Sequence, residues 1–576
     1  MPDPTNAEIA ALLDELGDLY ELDGAIVHRV LAYRNAAKAV RDATTSVAAR
    51  TRAGTVTEIA GIGKTLEEKL RALVETGEIP AMTKLRAKFP PGLVEMTRLP
   101  GLGPKRARKL FDELGIDSVQ ALATAAQAQR LRGIKGFGPK FEESVLAAID
   151  AGAGDAPRRR TPLHEALATA EPLLTALREH PASEKVELAG SARRWADSVK
   201  DLDIIATASD PRALAEGFAE LDLLESSSGI GEAGARGRTH NGLSVDLKIV
   251  APAQFGNLLQ HFTGSKHHNV ALREAAVKRG LHVSEYGILD DATGQTHHCE
   301  TEQEVYEVLG IPYPEPELRE NRGELSPDFQ PPELVRLEDL RGDLHSHTVA
   351  SDGHGTIREM ATAAMQRGHE YLAITDHSAS HGFGNDVSPA ELRKHMAAVR
   401  RVSDELDGIT LLAGSEVNIL PDGSLDYDDE LLEQLDWVVA SVHTAFGMSG
   451  EDMTARIVRA IEHPLVDVLG HPTGRLIEQR APYAVDMDAV IDAAARTSTF
   501  LEINSSPRRR DLSDVHARAA AAAGVKLLVD SDAHRTTTLD TQRWGIATAR
   551  RAWLRPQDVA NTLPLDELLA LRRGGR

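Results

Sequence analysis

The 576-residue sequence predicts a multidomain chain with an N-terminal all-α region, an α/β (α+β) core and a C-terminal parallel (β/α)7 barrel. Three observations predict this. Apolar residues near the N-terminus recur at helical spacing, strand-like stretches first appear after residue 162, and seven apolar runs alternate with helical ones beyond a Pro-rich stretch. The length agrees, since domains of about 100 to 200 residues imply several modules.

The composition is that of an ordinary globular protein, with 42% hydrophobic and 26% charged residues. No apolar run approaches the roughly 18 residues needed to cross a bilayer, so no membrane partner is expected. The acidic, periodic start "MPDPTNAEIAALLDELGD" lacks the basic and apolar stretches of a signal peptide. Cys299 stands alone, which excludes an internal disulfide framework and points to the cytoplasm. A net charge of -22 argues against nucleic acid only on average: Lys84 to Lys140 holds 12 Lys or Arg against 4 Asp or Glu.

Ile9, Leu12, Leu13 and Leu16 mark the first helix. Three echoes then recur, "IAGIGKTLEEKL", "LPGLGPKRARKL" and "IKGFGPKFEESV", each a Gly-apolar-Gly turn opening onto a helix. Their pairs are Gly61 and Gly63, Gly101 and Gly103, and Gly136 and Gly138. Each turn offers backbone amides and a helix N-terminus to a phosphate, and Lys105, Arg106, Arg108, Lys109 and Lys140 add charge. One such turn means little, because any helix-helix turn favours glycine; a basic set of three predicts contact with DNA.

The charged run "DAGAGDAPRRRTP", Asp150 to Pro162, separates this region from the α/β core. There, "ELAGSARRWADSVKDLDIIA" reads as strand, glycine turn, helix and strand. Asp201 and Asp203 alternate with Leu202 and Ile204, so the two acids share one face. Asp246 interrupts "LSVDLKIV" in the same way. Acids on half-buried strands usually face solvent, but Gly190 and Ser191 at a helix start, with Arg194 one turn on, make an anion site beside them. Three converging carboxylates suit two Mg or Mn ions acting on a triphosphate.

Ile311 to Val335 is rich in Pro and charge without a sustained period, and reads as a linker. Beyond it the runs "GDLHSH", "EYLAITDH", "LLAGSEV", "WVVASVH", "VDVLGH", "TFLEIN" and "KLLVDSDAH" end almost uniformly in metal-binding residue types. Parallel barrels carry their sites at those strand ends. His345 and His347 share a strand face, as do Asp532 and His534. A lone histidine is usually a satisfied polar residue. Nine candidates at corresponding positions, His345, His347, Asp352, His377, Glu416, His443, His471, Asp532 and His534, instead predict an N/O site for Zn, Mn or Fe. Such a cluster activates water and stabilises phosphoryl charge, so phosphoester hydrolysis is expected. Asp376 is either a supporting partner or a plain strand-end acid, and Arg475 and Arg508 to Arg510 are candidate phosphate receptors.

On these nine positions the last module resembles the PHP (polymerase and histidinol phosphatase) domain. The resemblance implies up to three ions: one on His345, His347, Glu416 and Asp532, one on Glu416, His443 and His471, and one on Asp352, His377 and His534. Through "GSARRWADSVKDLD", "VDLKIV" and "LLQHFTGSKHHNVALREAAVKRGLHVSEYGI" the core resembles the family X, polymerase beta-like nucleotidyltransferases. That resemblance assigns Phe262 and Gly264 to the "FTGS" turn, and Asn269 and Arg273 to nucleotide and template. Lys200 and Lys248 replace a common glycine and arginine, and His261 replaces a tyrosine that helps exclude ribonucleotides. The glycine turns resemble helix-hairpin-helix motifs, and Lys69 matches a Schiff-base lysine, although Glu67 and Glu68 favour its protonated form.

The order of modules is that of bacterial family X DNA polymerases. The expected boundaries are 1–82 (helical, first hairpin), 83–155 (hairpins), 156–315 (nucleotidyltransferase), 316–340 (linker) and 341–576 (PHP). The expected function is gap filling in base excision repair with 3'-5' exonuclease action, and action at abasic sites as the family implies. Expected partners are gapped or primer-template DNA and deoxynucleoside triphosphates; the protein is expected to be a cytoplasmic, nucleoid-associated monomer. Alternatives are a histidinol-phosphate-type phosphatase joined to a nucleotidyltransferase, a DNA-bound nuclease with an inactive polymerase core, and a non-enzymatic scaffold.

Overall fold

The computed structural model describes residues 3–572 apart from Arg98, Pro100, residues 151–159, Phe383 and Gly384. Most of the charged run Asp150 to Pro162 therefore lies outside the described residues. The chain forms two compact units. The first comprises residues 1–160, 167–188 and 200–252; the second comprises 161–166, 189–199 and 253–576.

In the first unit, helix Asn6–Leu22 opens with a capping box between Thr5 and Glu8. It buries Ile9, Leu13, Leu16 and Leu19 completely. Against it packs helix Val27–Asp42, with Tyr20 and Tyr33 stacked at 5.1 Å. The buried Asn6 amide donates to the carbonyls of Ala43 and Thr45 and accepts from Val47 N–H, tying the next connection down. The hairpin turns follow the sequence reading: Gly61 and Gly136 adopt φ of +94° and +101°, conformations that favour glycine, and helices begin at Lys64, Pro104 and Pro139.

The same unit holds a five-stranded sheet in the order 183–188, 201–208, 244–249, 234–239, 224–231. Asp201–Ala208 and Ser244–Ile249 run parallel, which sets Asp203 directly opposite Asp246. Leu202, Ile204, Val245 and Leu247 are buried, so the apolar half of the alternation faces the core.

The second unit contains a seven-stranded parallel sheet running 342–343, 371–374, 410–418, 437–441, 468–469, 500–504, 527–530. A bridge between Ser346 and Ala533 joins its first and last members, so the barrel nearly closes. Alternation explains its interior. Tyr371, Ala373, Leu412, Trp437, Val439, Phe500 and Leu528 form one apolar cluster, while Leu372, Ile374, Leu411, Val438 and Leu501 pack elsewhere with the helices. Further along the same strand face come Glu416, Glu502 and Asp532, at the C-terminal ends.

The stretch read as a linker is ordered and packed. Leu318, Phe329, Leu334 and Val335 are buried, Arg319 and Glu324 are completely so, and Arg319 meets Glu302 at 2.5 Å. Proline and charge suggested a loose spacer; instead the charges pair internally. The unit also departs from the expected boundary, because residues 189–199 belong with the barrel. Arg510, 1% exposed, donates to the carbonyls of Trp195 and Ala196, and Arg551 donates to that of Arg194 at 2.7 Å.

Candidate functional site

The nine barrel positions gather. Among the described residues, three donor groups each fit within 4.8 Å: His347, Asp352, His377 and His534; His345, His347 and Asp532; and His377, Glu416 and His443. Glu416 is central. Its Oε1 lies 2.9 Å from His471 Nε2 and 3.1 Å from His443 Nε2, and its Oε2 lies 2.8 Å from His377 Nδ1 and 3.3 Å from His345 Nε2. His347 Nε2 is 3.1 Å from Asp532 Oδ1, and Asp352 Oδ1 is 3.2 Å from His534 Nε2.

The chemistry of the donor set fits metal ions. His345 Nε2, both ring nitrogens of His347, His377 Nδ1 and Glu416 Oε2 are buried and make no well-directed hydrogen bond, even where they face one another at short range. Leaving so many polar atoms unpaired is costly unless something else binds them. Burial, followed by the positive neighbours His534 and His377, lowers His347 to about 4, so it stays neutral and keeps a lone pair. Burial opposes ionisation of Glu416, but His443, His345 and His377 outweigh it and hold the carboxyl well below its usual range.

Two residues at this site were not singled out from the sequence. Glu502, 1% exposed, approaches His345 Nδ1 at 2.7 Å and accepts the backbone N–H of His471. It lies two residues from Asn504, which donates to Asp532 at 3.0 Å, so strand alternation in "TFLEIN" carried the signal. His381 stacks on His377 at 4.2 Å, four residues along the chain.

Asp376 acts as a supporting partner. It accepts from Thr348 and Ser351 through backbone and side chain and lies 2.8 Å from His395, holding the loop that leads to Asp352. The phosphate-receptor reading of Arg475 and Arg510 is corrected. Arg475 is spent on Asp197 at 2.7 Å and Arg510 is buried on backbone carbonyls, because both fasten residues 195–197. Arg509 Nε stands 4.0 Å from Asp532 Oδ2.

The turn at Gly190 has φ +66° and opens helix Gly190–Arg193. Arg194, expected to face a triphosphate, is instead 12% exposed, with Glu320 at 3.1 Å and the Thr263 carbonyl as its partners. A Cβ on Gly264 would lie 3.2 Å from Arg194 Nη1, so glycine there permits this close packing. Asn269 and Arg273 share a helix face and both meet His261, through its carbonyl at 2.7 Å and its Nδ1 at 3.1 Å. Phe262 is half-buried beside them, its ring 5.3 Å from that of His261.

In the first unit, Asp201, Asp203 and Asp246 are half-buried on adjoining parallel strands. Arg236, opposite on the neighbouring strand, reaches Asp246 Oδ1 at 3.1 Å. In the hairpins, Lys105 and Lys140 are exposed. Arg106 is not available as expected: it donates to the carbonyls of Gly101 and Gly136 at 2.6 Å and lies over Phe137 and Phe141, stitching the second turn to the third. Lys69 is half-buried, and its neighbour Glu67 pairs with Arg71 at 3.1 Å.

Comparison with known proteins covers the same regions. Four family models match: a helix-hairpin-helix domain (residues 4–79), a SAM-like helix-hairpin-helix tandem (93–151), the DNA polymerase beta thumb (258–320) and the PHP domain (343–506). The "DNA polymerase/3'-5' exonuclease PolX" of Bacillus subtilis (strain 168) is 36% identical over 565 residues, covering 98% of each chain. Proteins named "Probable phosphatase" from Shewanella sediminis (strain HAW-EB3) and Syntrophotalea carbinolica (strain DSM 2380 / NBRC 103641 / GraBd1) are 32% and 29% identical. They match 40% and 38% of this chain, and 94% and 90% of their own. With an end-to-end relative of that kind, a polymerase beta thumb behind hairpin domains and a donor-rich PHP barrel, the chain belongs to the family X DNA polymerases that carry a PHP domain.

Proposed function

We propose that this protein extends DNA primers across short gaps and trims 3' ends, with synthesis at Asp201, Asp203 and Asp246 and hydrolysis in the barrel. The observation that carries the reading is the barrel's donor cluster, together with Asp203 set opposite Asp246, in a chain related end to end to a polymerase/exonuclease. In extension, the primer 3'-hydroxyl attacks the α-phosphorus of a deoxynucleoside triphosphate and pyrophosphate leaves. In trimming, water attacks the terminal phosphodiester, releasing a nucleoside monophosphate and a new 3'-hydroxyl.

Mg or Mn suits the aspartates. In the barrel, His345, His347, Glu416 and Asp532 would hold one ion of Mn, Zn or Fe, Glu416, His443 and His471 a second, and Asp352, His377 and His534 a third. Such ions supply water activation and charge neutralisation at phosphorus. The chain itself fixes the donors: Glu502 orients His345, Asn504 orients Asp532, and Asp376 holds the loop bearing Asp352. Gly190, Ser191, Phe262, Gly264, Asn269 and Arg273 would bind the nucleotide; Lys105, Lys140 and the glycine turns would bind DNA phosphates. Lys69 would serve abasic-site chemistry. Work on gapped DNA at the nucleoid, as a cytoplasmic monomer, follows from the same reading, as does the assignment of residues 1–155 to DNA and 341–576 to hydrolysis.

The deciding experiment follows a 5'-labelled primer in a one-nucleotide gap with Mn, with and without deoxynucleotides. Asp203→Ala is expected to lose extension alone, and His345→Ala shortening alone. Shortening without extension by the wild type would leave a DNA-bound nuclease. Because the phosphatase-named relatives match about two fifths of the chain, hydrolysis of small phosphomonoesters with none of DNA would favour the phosphatase reading.

A further inference from the structure

An open cleft of about 670 Å³ lies beside the barrel's donor cluster, lined by His354, Arg358, Thr362, Arg535, Thr536 and Thr537 among others. Its walls grow directly from two candidate ligands. His354 follows Asp352 by two residues and Arg535 follows His534 immediately. The His354 N–H donates to the His534 carbonyl at 2.8 Å, so the two walls are locked together beside the Asp352–His534 pair.

Several arginines elsewhere in the barrel are already paired. Arg475, Arg510 and Arg551 are each committed to carboxylates or carbonyls, and Arg358 pairs with Glu405. Arg535 is exposed, and among the described residues no carboxylate lies within ion-pair distance of its guanidinium; its partner is Nε2 of His354 at 3.0 Å. The carboxylate lining the cleft, Glu359, is turned to the helix start, where it accepts from Thr356 N–H and Oγ1 at 2.8 and 2.9 Å. A guanidinium fork held by an imidazole rather than a carboxylate, with hydroxyls of Thr536 and Thr537 nearby, suits a phosphodiester.

We propose that Arg535 and His354 form a subsite for the penultimate phosphodiester of the strand being shortened. The inference rests on the exonuclease reading and deepens it. With the terminal phosphodiester at the donor cluster, the next one along the strand enters the adjoining cleft. A phosphomonoester has no second phosphate, so the subsite selects polynucleotides over small phosphate esters.

The test pairs two 5'-labelled single-stranded oligonucleotides, one natural and one with a neutral methylphosphonate at the penultimate linkage, with wild type, Arg535→Ala and Arg535→Lys. Wild type is expected to remove the last nucleotide about tenfold more slowly from the neutral substrate, the loss of one charge-assisted contact. Arg535→Ala is expected to handle both substrates alike at the slower rate, with metal content by elemental analysis equal to wild type, and Arg535→Lys to retain part of the discrimination. Wild-type degradation that ignores the methylphosphonate, or undiminished discrimination in Arg535→Ala, overturns the subsite alone. Failure of wild type to shorten either oligonucleotide overturns the exonuclease reading and the subsite with it.

Discussion

Nδ1 of His345 lies 2.7 Å from Oε1 of Glu502, with both side chains 1% exposed. A carboxylate in that position fixes the imidazole's tautomer and leaves Nε2 facing Glu416. Glu502→Gln is therefore expected to weaken metal retention by roughly 10- to 100-fold. Elemental analysis after dialysis against graded chelator reads this directly, and retention equal to wild type would remove Glu502 from the site.

Burial pushes the Glu302 carboxyl upward, but Arg319 and Arg193 outweigh it and hold it at about 2. An acid depressed on folding adds stability that is fully present above its unfolded pKa and fades as pH falls toward the folded value. The window is thus from about 4.5 down to about 2. Glu302→Gln should flatten the pH dependence of urea unfolding in that window, by roughly 3 kcal/mol in total.

Removing Arg510 leaves two carbonyls and part of Asp197 without their cation. Arg510→Ala should cost roughly 3 kcal/mol in denaturant unfolding, as breaking a buried pair does. It should also raise the KM for deoxynucleotides in extension, since the carbonyls it holds follow the Gly190 turn.

Lys105 and Arg106 are adjacent in sequence, but Lys105 is exposed while Arg106 is tied to two turns. Lys105→Ala should weaken DNA binding and lower the salt slope by about one, read by fluorescence anisotropy across a salt series. Arg106→Ala should instead lower thermal stability, because its guanidinium joins two turns and two phenyl rings. Equal salt slopes for Lys105→Ala and wild type would count against a phosphate contact there.

The barrel's donors were legible because strand alternation and repeated strand ends are local patterns: His345 and His347 announce a shared face from their spacing alone. Glu502 obeyed the same rule with Asn504 but carried no histidine partner nearby in sequence. Arginines were the least legible residues. Arg194, Arg475 and Arg510 look like phosphate ligands in a string of letters, and only folding brings Glu320, Asp197 and the Trp195 carbonyl to them. The stretch from Ile311 was misleading for a related reason: proline and charge suggest solvent, whereas Arg319 and Glu324 find Glu302 and His268.

Residues 189–199 group with the barrel-containing unit rather than with the strands on either side of them, so a cut between modules in sequence is not a cut between units in space. A gene divided between codons 316 and 340 would strand the Gly190 turn on a fragment lacking Arg475, Arg510 and Arg551. Under the proposed role of that turn in holding the nucleotide, such a division is expected to cost synthesis as well as trimming.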